Sequence, residues 1–276
     1  MSTRTLSVAV VWFIFPVAVA LGQQTPPASP IPAATHSQAD CTGFITTSKV
    51  SADIFILDGA NNDLESSLRQ FTPRESIYLY SRSSRGVFSV GEEFSLVRPG
   101  KELFRTSRYA GEHWSIHTLG KPYEDVGRAK VAHVTPEGAV AEVSFACGPI
   151  YPGDLAVPYQ PRAIPEYVPE ELERFALPNG KSLGVITAGR NNSANLVAGD
   201  IVYLNLGEKD GAKSGQRYRV FYYLRGPSSF SLFVYPPIPR ETVGEVVVLS
   251  TQEKSSAAII VNSRRDINVG YGVELE

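Results

Sequence analysis

The sequence predicts a mostly β protein made of two tandem copies of a small antiparallel β-barrel-like module with little helix. Three observations carry that prediction: an internal repeat, short segments whose apolar residues alternate, and glycine turns between those segments. Alternation sends every second side chain to one side of a pleated strand. Short strands punctuated by glycine turns suit a small, strongly curved sheet or barrel.

The repeat is read in three blocks. Asp53-Ile54-Phe55-Ile56-Leu57-Asp58-Gly59-Ala60-Asn61-Asn62 matches Leu183 to Asn192, 130 residues later, with Ile56 on Ile186 and a Gly-x-Asn-Asn turn in both. Ile77-Tyr78-Leu79 falls on Ile201-Val202-Tyr203, and Val90 to Val97 on Ser214 to Phe221, both 124 residues on. Val126-Gly127, Ala141, Val143, Ile150 and Gly153 match Val243-Gly244, Ala258, Ile260, Ile267 and Gly270, 117 residues on. Ala129, Val131 and His133 share one strand face, as do Val246 and Val248. Pro136-Glu137-Gly138 and Glu253-Lys254-Ser255 supply hairpin turns. Asp63 to Phe71, with Asn62 as N-cap and Glu65 behind it, reads as a helix in the first copy.

The blocks set the domain organisation. Residues 1–22, with Arg4, an apolar run from Leu6 to Leu21 and the small residues Ala20 and Gly22, read as a cleaved secretory signal. That run contains Ser7 and Pro16 and falls short of the roughly 20 residues that span a bilayer as a helix. No integral membrane span is expected after cleavage. Residues 23–40, rich in proline, read as a disordered leader. The first β module covers 41–157, a Pro-rich connector 158–178 with a short helical pattern over Glu170 to Phe175, and the second β module 179–276. Export places the chain in the periplasm or outside the cell. There the two cysteines, Cys41 and Cys147, form the one possible intrachain disulfide, closing a loop of about 100 residues across the first module's first and last strands.

The second copy carries Gly199-Asp200-Ile201-Val202-Tyr203-Leu204-Asn205-Leu206-Gly207, then Asp210-Gly211-Ala212-Lys213-Ser214-Gly215-Gln216-Arg217-Tyr218, Val243-Gly244 and Ile267-x-x-Gly270. This pattern resembles the C-terminal domain of flagellar assembly protein T, and is similar to paired β modules of other exported bacterial proteins, some of which carry cell-wall-binding LysM domains. The resemblance implies a small envelope domain that makes contacts without doing chemistry. Its motifs are turn glycines and strand residues, so it speaks for fold and implies no flagellar role.

Chemistry is sparse in the rest of the sequence. A net charge of -2 is far from the basic surface that sequence-independent phosphate binding needs, so no nucleic acid partner is expected. His113 and His117 have metal-ligand spacing, but Gly111, Gly120 and Pro122 spoil the helix that would align them, and no metal is expected. There is no G-x-S-x-G elbow, no P-loop and no catalytic triad context, so no catalytic residue or cofactor is expected. Glu92-Glu93 and Glu124-Asp125 are neighbours on strands and face opposite ways. The copies differ in two inserts, Pro99 to Asp125 and Leu224 to Glu241. Their aromatic residues Tyr109, Trp114, Phe230, Phe233 and Tyr235 are the candidate binding residues, suited to stacking on a sugar or to a protein contact. Packing inside the barrels competes with that role. The expected function is a non-enzymatic scaffold or interaction protein, with carbohydrate or peptidoglycan binding as the alternative. The expected partner is an envelope protein or a cell-wall polysaccharide.

Overall fold

The computed structural model describes residues 29–59, 70–82, 88–100, 117–223 and 240–276. The chain opens with β1 (Ile31–Pro32), α1 (His36–Asp40) and β2 (Phe44–Thr46). The first barrel is built from β3 (Ile54–Gly59), β4 (Ser76–Ser81), β5 (Glu93–Pro99), β6 (Lys121–Val134), β7 (Gly138–Ala146) and β8 (Leu155–Pro158). Then follow β9 (Glu166–Tyr167), β10 (Leu183–Gly189), β11 (Asn195–Leu196), β12 (Ile201–Leu204), β13 (Arg217–Tyr223), β14 (Arg240–Thr251), β15 (Ser256–Ser263), β16 (Ile267–Asn268) and β17 (Gly272–Leu275). β9 pairs with β1, and β11 with β16.

Both modules are closed antiparallel barrels of six strands with one strand order. In the first, β3-β4-β7-β6-β5-β8 returns to β3; in the second, β10-β12-β15-β14-β13-β17 returns to β10. Alternation explains the cores: Ile56, Ile77, Leu79, Phe94, Leu96, Val131 and Val143 fill the first, and Ile186, Val202, Leu204, Tyr218, Val220, Val248 and Ile260 the second. Closure needs sharp local bending, which β-bulges supply. Register shifts fall between Ile56/Asp58, Leu96/Val97, Arg128/Ala129 and Val131/His133, and again between Ile186/Ala188, Val220/Phe221, Glu245/Val246 and Val248/Ser250. Each shift in one barrel has its counterpart in the other. At Gly127 a Cβ would lie 2.6 Å from the Phe145 carbonyl oxygen, and at Gly244 2.6 Å from that of Asn262, so both strands need glycine to cross closely.

Several expectations change in detail. Within the second block, Val90 to Val97 keeps its match, but the Ile77 part aligns one residue further along: Arg74 donates its N–H to Val143 where Gly199 donates to Ile260, which sets Ile77 on Val202 and Leu79 on Leu204. The sequence misled because β12 is buried on both faces, so either register puts apolar residues inside. The bulge at Val131/His133 turns His133 outward and brings Val134 toward the core. Glu170 to Phe175 is an extended segment with a turn and no helix. Of the leader expected to be disordered over 23–40, residues 31–40 are structured: Ala33 and Ala34 pack on Ile201, Val247, Leu249 and Ile259, and Thr35 caps α1. The Cys41–Cys147 disulfide is formed, with Cα atoms 5.5 Å apart. It ties the end of β7 to the segment ahead of β2, which lies outside the barrel beside β6, and so does not join the first and last barrel strands. The helix expected over Asp63 to Phe71 lies outside the described residues except for Gln70 and Phe71, the latter bridging to Ile150.

The two barrels touch through the segment after the disulfide. Ile45 and Leu119 pack on Ala188, Tyr203 and Ala257 of the second barrel's outer face. The Tyr203 hydroxyl donates to the Thr42 carbonyl at 2.7 Å, and Ser255 Oγ to that of Ile45 at 2.5 Å. Burial raises the Tyr203 phenol well above its ordinary value. Beside this contact, Asp125 accepts from the Gly43 N–H at 2.8 Å and from Arg162 at 2.5 and 3.1 Å. Burial opposes the Arg162 charge, but the Asp125 bond and charge more than offset it.

The connector's second half is the counterpart of that segment on the second barrel. Thr242 donates its N–H to the Arg174 carbonyl, Arg240 to that of Ala176 and Arg264 to that of Leu172. Arg264 stands 117 residues after Cys147, so a guanidinium contact holds the segment where the first barrel has its disulfide. Under the segment, Arg217 pairs with Glu245, Glu170 and Glu276, and Arg240 and Arg219 with Glu274. Two of the aligned places in the first barrel carry the opposite sign, while Ser95, Tyr123 and Val157 stand for Arg219, Arg240 and Glu274. Glu93 stands for Arg217 and Arg128 for Glu245, with Arg128 held by Asp40, Glu93 and the Tyr159 ring.

Candidate functional site

A recess of about 1040 Å³ opens at one end of the second barrel. Leu183 and Val185 of β10, Phe221, Tyr222 and Tyr223 of β13, and the Asn268 to Gly272 turn line it. β13 ends in three successive aromatic residues. Strand alternation would send Phe221 and Tyr223 to one side and Tyr222 to the other, and the Val220/Phe221 bulge re-aims them at the rim. Tyr222 and Tyr271 stack with centroids 5.1 Å apart and planes 15° from parallel. Tyr223 meets Phe221 edge-on at 5.8 Å and is 62% exposed. Gly272 makes room: a Cβ there would lie 2.5 Å from the Phe221 ring.

A polar chain fixes the ring positions. Arg265 lies over the Tyr222 ring and donates to its hydroxyl at 2.8 Å; that hydroxyl donates to Glu241 at 2.7 Å, and Arg174 pairs with Glu241 at 2.6 Å. The Tyr222 bond, joined by Arg174, holds the Glu241 carboxyl below its ordinary value, and the same bond raises the Tyr222 phenol. Asn268 Nδ2 donates to the Tyr271 hydroxyl at 3.1 Å. The result is a mainly apolar recess with held aromatic faces and phenol, amide and guanidinium groups at its edge. Such a surface can stack on flat apolar faces and exchange hydrogen bonds with hydroxyls. No activated nucleophile stands among the described residues that line it.

Tyr109, Trp114, Phe230, Phe233 and Tyr235 lie outside the described residues. Cys41 and Cys147 are consumed by their bond. They border a smaller cleft of about 200 Å³ with Arg98, Glu124, Asp125, Arg190 and Tyr203, in which Arg98 is held by Asp154 and Asp125 by Arg162. Among the described residues, no group of His, Cys, Asp and Glu could hold a metal ion, and no helix is long and apolar enough to cross a membrane. Sequence reasoning missed Tyr222, Tyr223 and Tyr271. The signal was present in the run Phe221-Tyr222-Tyr223, which places rings on both faces of a strand end.

No protein-family model and no curated protein matches this chain. The reading of its function therefore rests on the geometry of the second barrel's open end and on the sequence.

Proposed function

We propose that this chain is a non-enzymatic protein of the cell envelope, periplasmic or secreted, whose two barrels form a scaffold that holds a partner at the open end of the second. The carrying observation is the recess of ordered aromatic rings without a catalytic set beside it. A disulfide that closes about the whole first barrel fits an oxidising compartment, as does the apolar N-terminal run. The resemblance to the C-terminal domain of flagellar assembly protein T supports a contact-making role. Crosslinking in the native envelope, followed by identification of the captured chains, tests the reading. Capture through Tyr223 or Tyr271 replaced by a photoreactive residue is expected, and a chain recovered alone at every crosslinker length overturns it.

A second reading is favoured by the Tyr222–Tyr271 stack and the exposed Tyr223 face: the partner is a polysaccharide such as peptidoglycan. Aromatic side chains carry an apolar face and, in tyrosine, a polar tip, which matches the alternating CH and OH surfaces of a sugar. Retention on insoluble cell wall decides it. Tyr223→Ala and Tyr271→Ala, tested together with Trp114→Ala in the first insert, are expected to reduce retention about tenfold, or roughly 1.4 kcal/mol. Equal retention of all three sinks this reading.

A further inference from the structure

We propose that copies of this chain associate head to tail, the outer face of β3, β4 and β7 of one copy receiving the 172–177 segment of the next. The contact between the two barrels within the chain is the template. There the segment ahead of the first barrel, through Ile45 and Thr42, sits on the outer face of β12 and β15 and buries Tyr203 and Ala257. Ile45 is 1% exposed as a result.

Each half of that contact has a counterpart that nothing covers among the described residues. Tyr78 is the structural counterpart of Tyr203, and Val140 of Ala257, by the matching ladders of β4–β7 and β12–β15. Both are half-buried, and beside them stand Phe55, Tyr80 and Leu57, the last 51% exposed. On the other barrel, the 172–177 segment lies beside β14 as residues 42–46 lie beside β6. Its Phe175 is 50% exposed and its Leu177 82%, where Ile45 is covered. Among the described residues, one face-to-segment contact is thus buried, and the second face and the second segment stand open.

Charge fits the same pairing. The segment and the residue before it carry the exposed carboxylates of Glu173 and Glu171, and the face carries exposed Arg82, its guanidinium 4.6 Å from the Phe55 ring centroid, and Arg74 at its edge, alongside the exposed carboxylate of Glu142. A contact between two different surfaces of one chain leaves a free surface at each end. It therefore grows in one direction unless its rotation closes a ring. The segment meets the polar edge of the aromatic recess through Arg174 and Glu241, but Phe55, Leu57, Phe175 and Leu177 do not line that recess, so the inference stands whether or not it holds a ligand.

Sedimentation velocity and light scattering on the oxidised chain test it, with Leu57→Glu blocking the face and Leu177→Glu blocking the segment. The expected result is wild-type species that enlarge with concentration up to about 1 mM. Each variant alone stays monomeric, and an equimolar mixture forms dimers and nothing larger, because one intact face meets one intact segment. A wild type that stays monomeric over that range overturns the inference. So does either variant that associates like wild type, or a mixture that stays monomeric, which would mark a two-fold contact. Phe175→Glu repeats the segment test independently, and unchanged circular dichroism and disulfide content establish that each variant is folded.

Discussion

Reducing the Cys41–Cys147 bond, or replacing both residues by serine, removes a cross-link between positions 106 residues apart. The loop contains nearly all of the first barrel and none of the second. In the chain-entropy account, closing a loop of that size in the unfolded state contributes about 4.7 kcal/mol at 25 °C, and measured values run lower. The native contacts around Cys41 survive its loss: Gly43 still donates to Asp125, Phe44 to Thr46 still pair with β6, and Tyr203 still donates to Thr42. The change therefore falls on the unfolded state, and the expected destabilisation is about 3 to 5 kcal/mol. Guanidinium unfolding with and without reductant gives the magnitude, and amide exchange gives the place. Protection should drop across β3 to β7 and persist in β12 to β15. A change below about 1 kcal/mol, or an equal loss of protection in both barrels, would refute the reasoning.

Two further outcomes follow from single residues. Burial pushes the Glu245 carboxyl from 4.5 to about 7, with Arg217 opposing the shift. The folded chain then holds a proton that the unfolded chain has lost between those pH values. This residue's contribution is most favourable below pH 4.5 and is lost as pH rises through 7, by as much as about 3 kcal/mol. The stability difference between wild type and Glu245→Gln, measured by urea unfolding from pH 4 to 8, should carry that slope, and a flat difference contradicts it. Arg74 adopts φ 74° at a turn where the second barrel has Gly199 at φ 95°. Arg74→Gly is expected to raise stability by about 0.5 kcal/mol, since relief of left-handed strain exceeds the added chain entropy. A loss of stability in thermal unfolding contradicts that account.

The fold class was legible because core side chains and turn glycines obey short-range rules. Ile56 and Ile186, Phe94 and Tyr218, and Gly153 and Gly270 could be matched from spacing alone. The one-residue error at β12 arose where the outer face is also buried, by Ala33, Ala34 and Ile45, so alternation there gave no signal. Those three residues lie in segments of low apolar content that gain order by packing on a finished barrel. The candidate site was hard to read for a related reason. Tyr222 and Tyr271 are 49 residues apart in sequence and meet through barrel closure, and the bulge that aims Tyr222 leaves no mark in a run of aromatic residues.

The exchanged charges on the outer faces bear on how a chain with two like-ordered barrels assembles. Tandem modules of one strand order invite a strand of one to enter the sheet of the other during folding. Were β5 to take the place of β13, Glu93 would stand diagonally from Glu245 with Arg217 gone, and Ser95 would replace Arg219 directly opposite that carboxyl. The reverse exchange would set Arg217 opposite Lys130 and Arg219 opposite Arg128. Like charges facing one another across a strand pair are unfavourable, and diagonal ones lie within reach of long side chains, so the exchanged pairings are disfavoured, most of all where β13 would enter the first barrel. The polarity reversal thus adds an electrostatic bias against exchange to two barrels whose shapes alone would allow it.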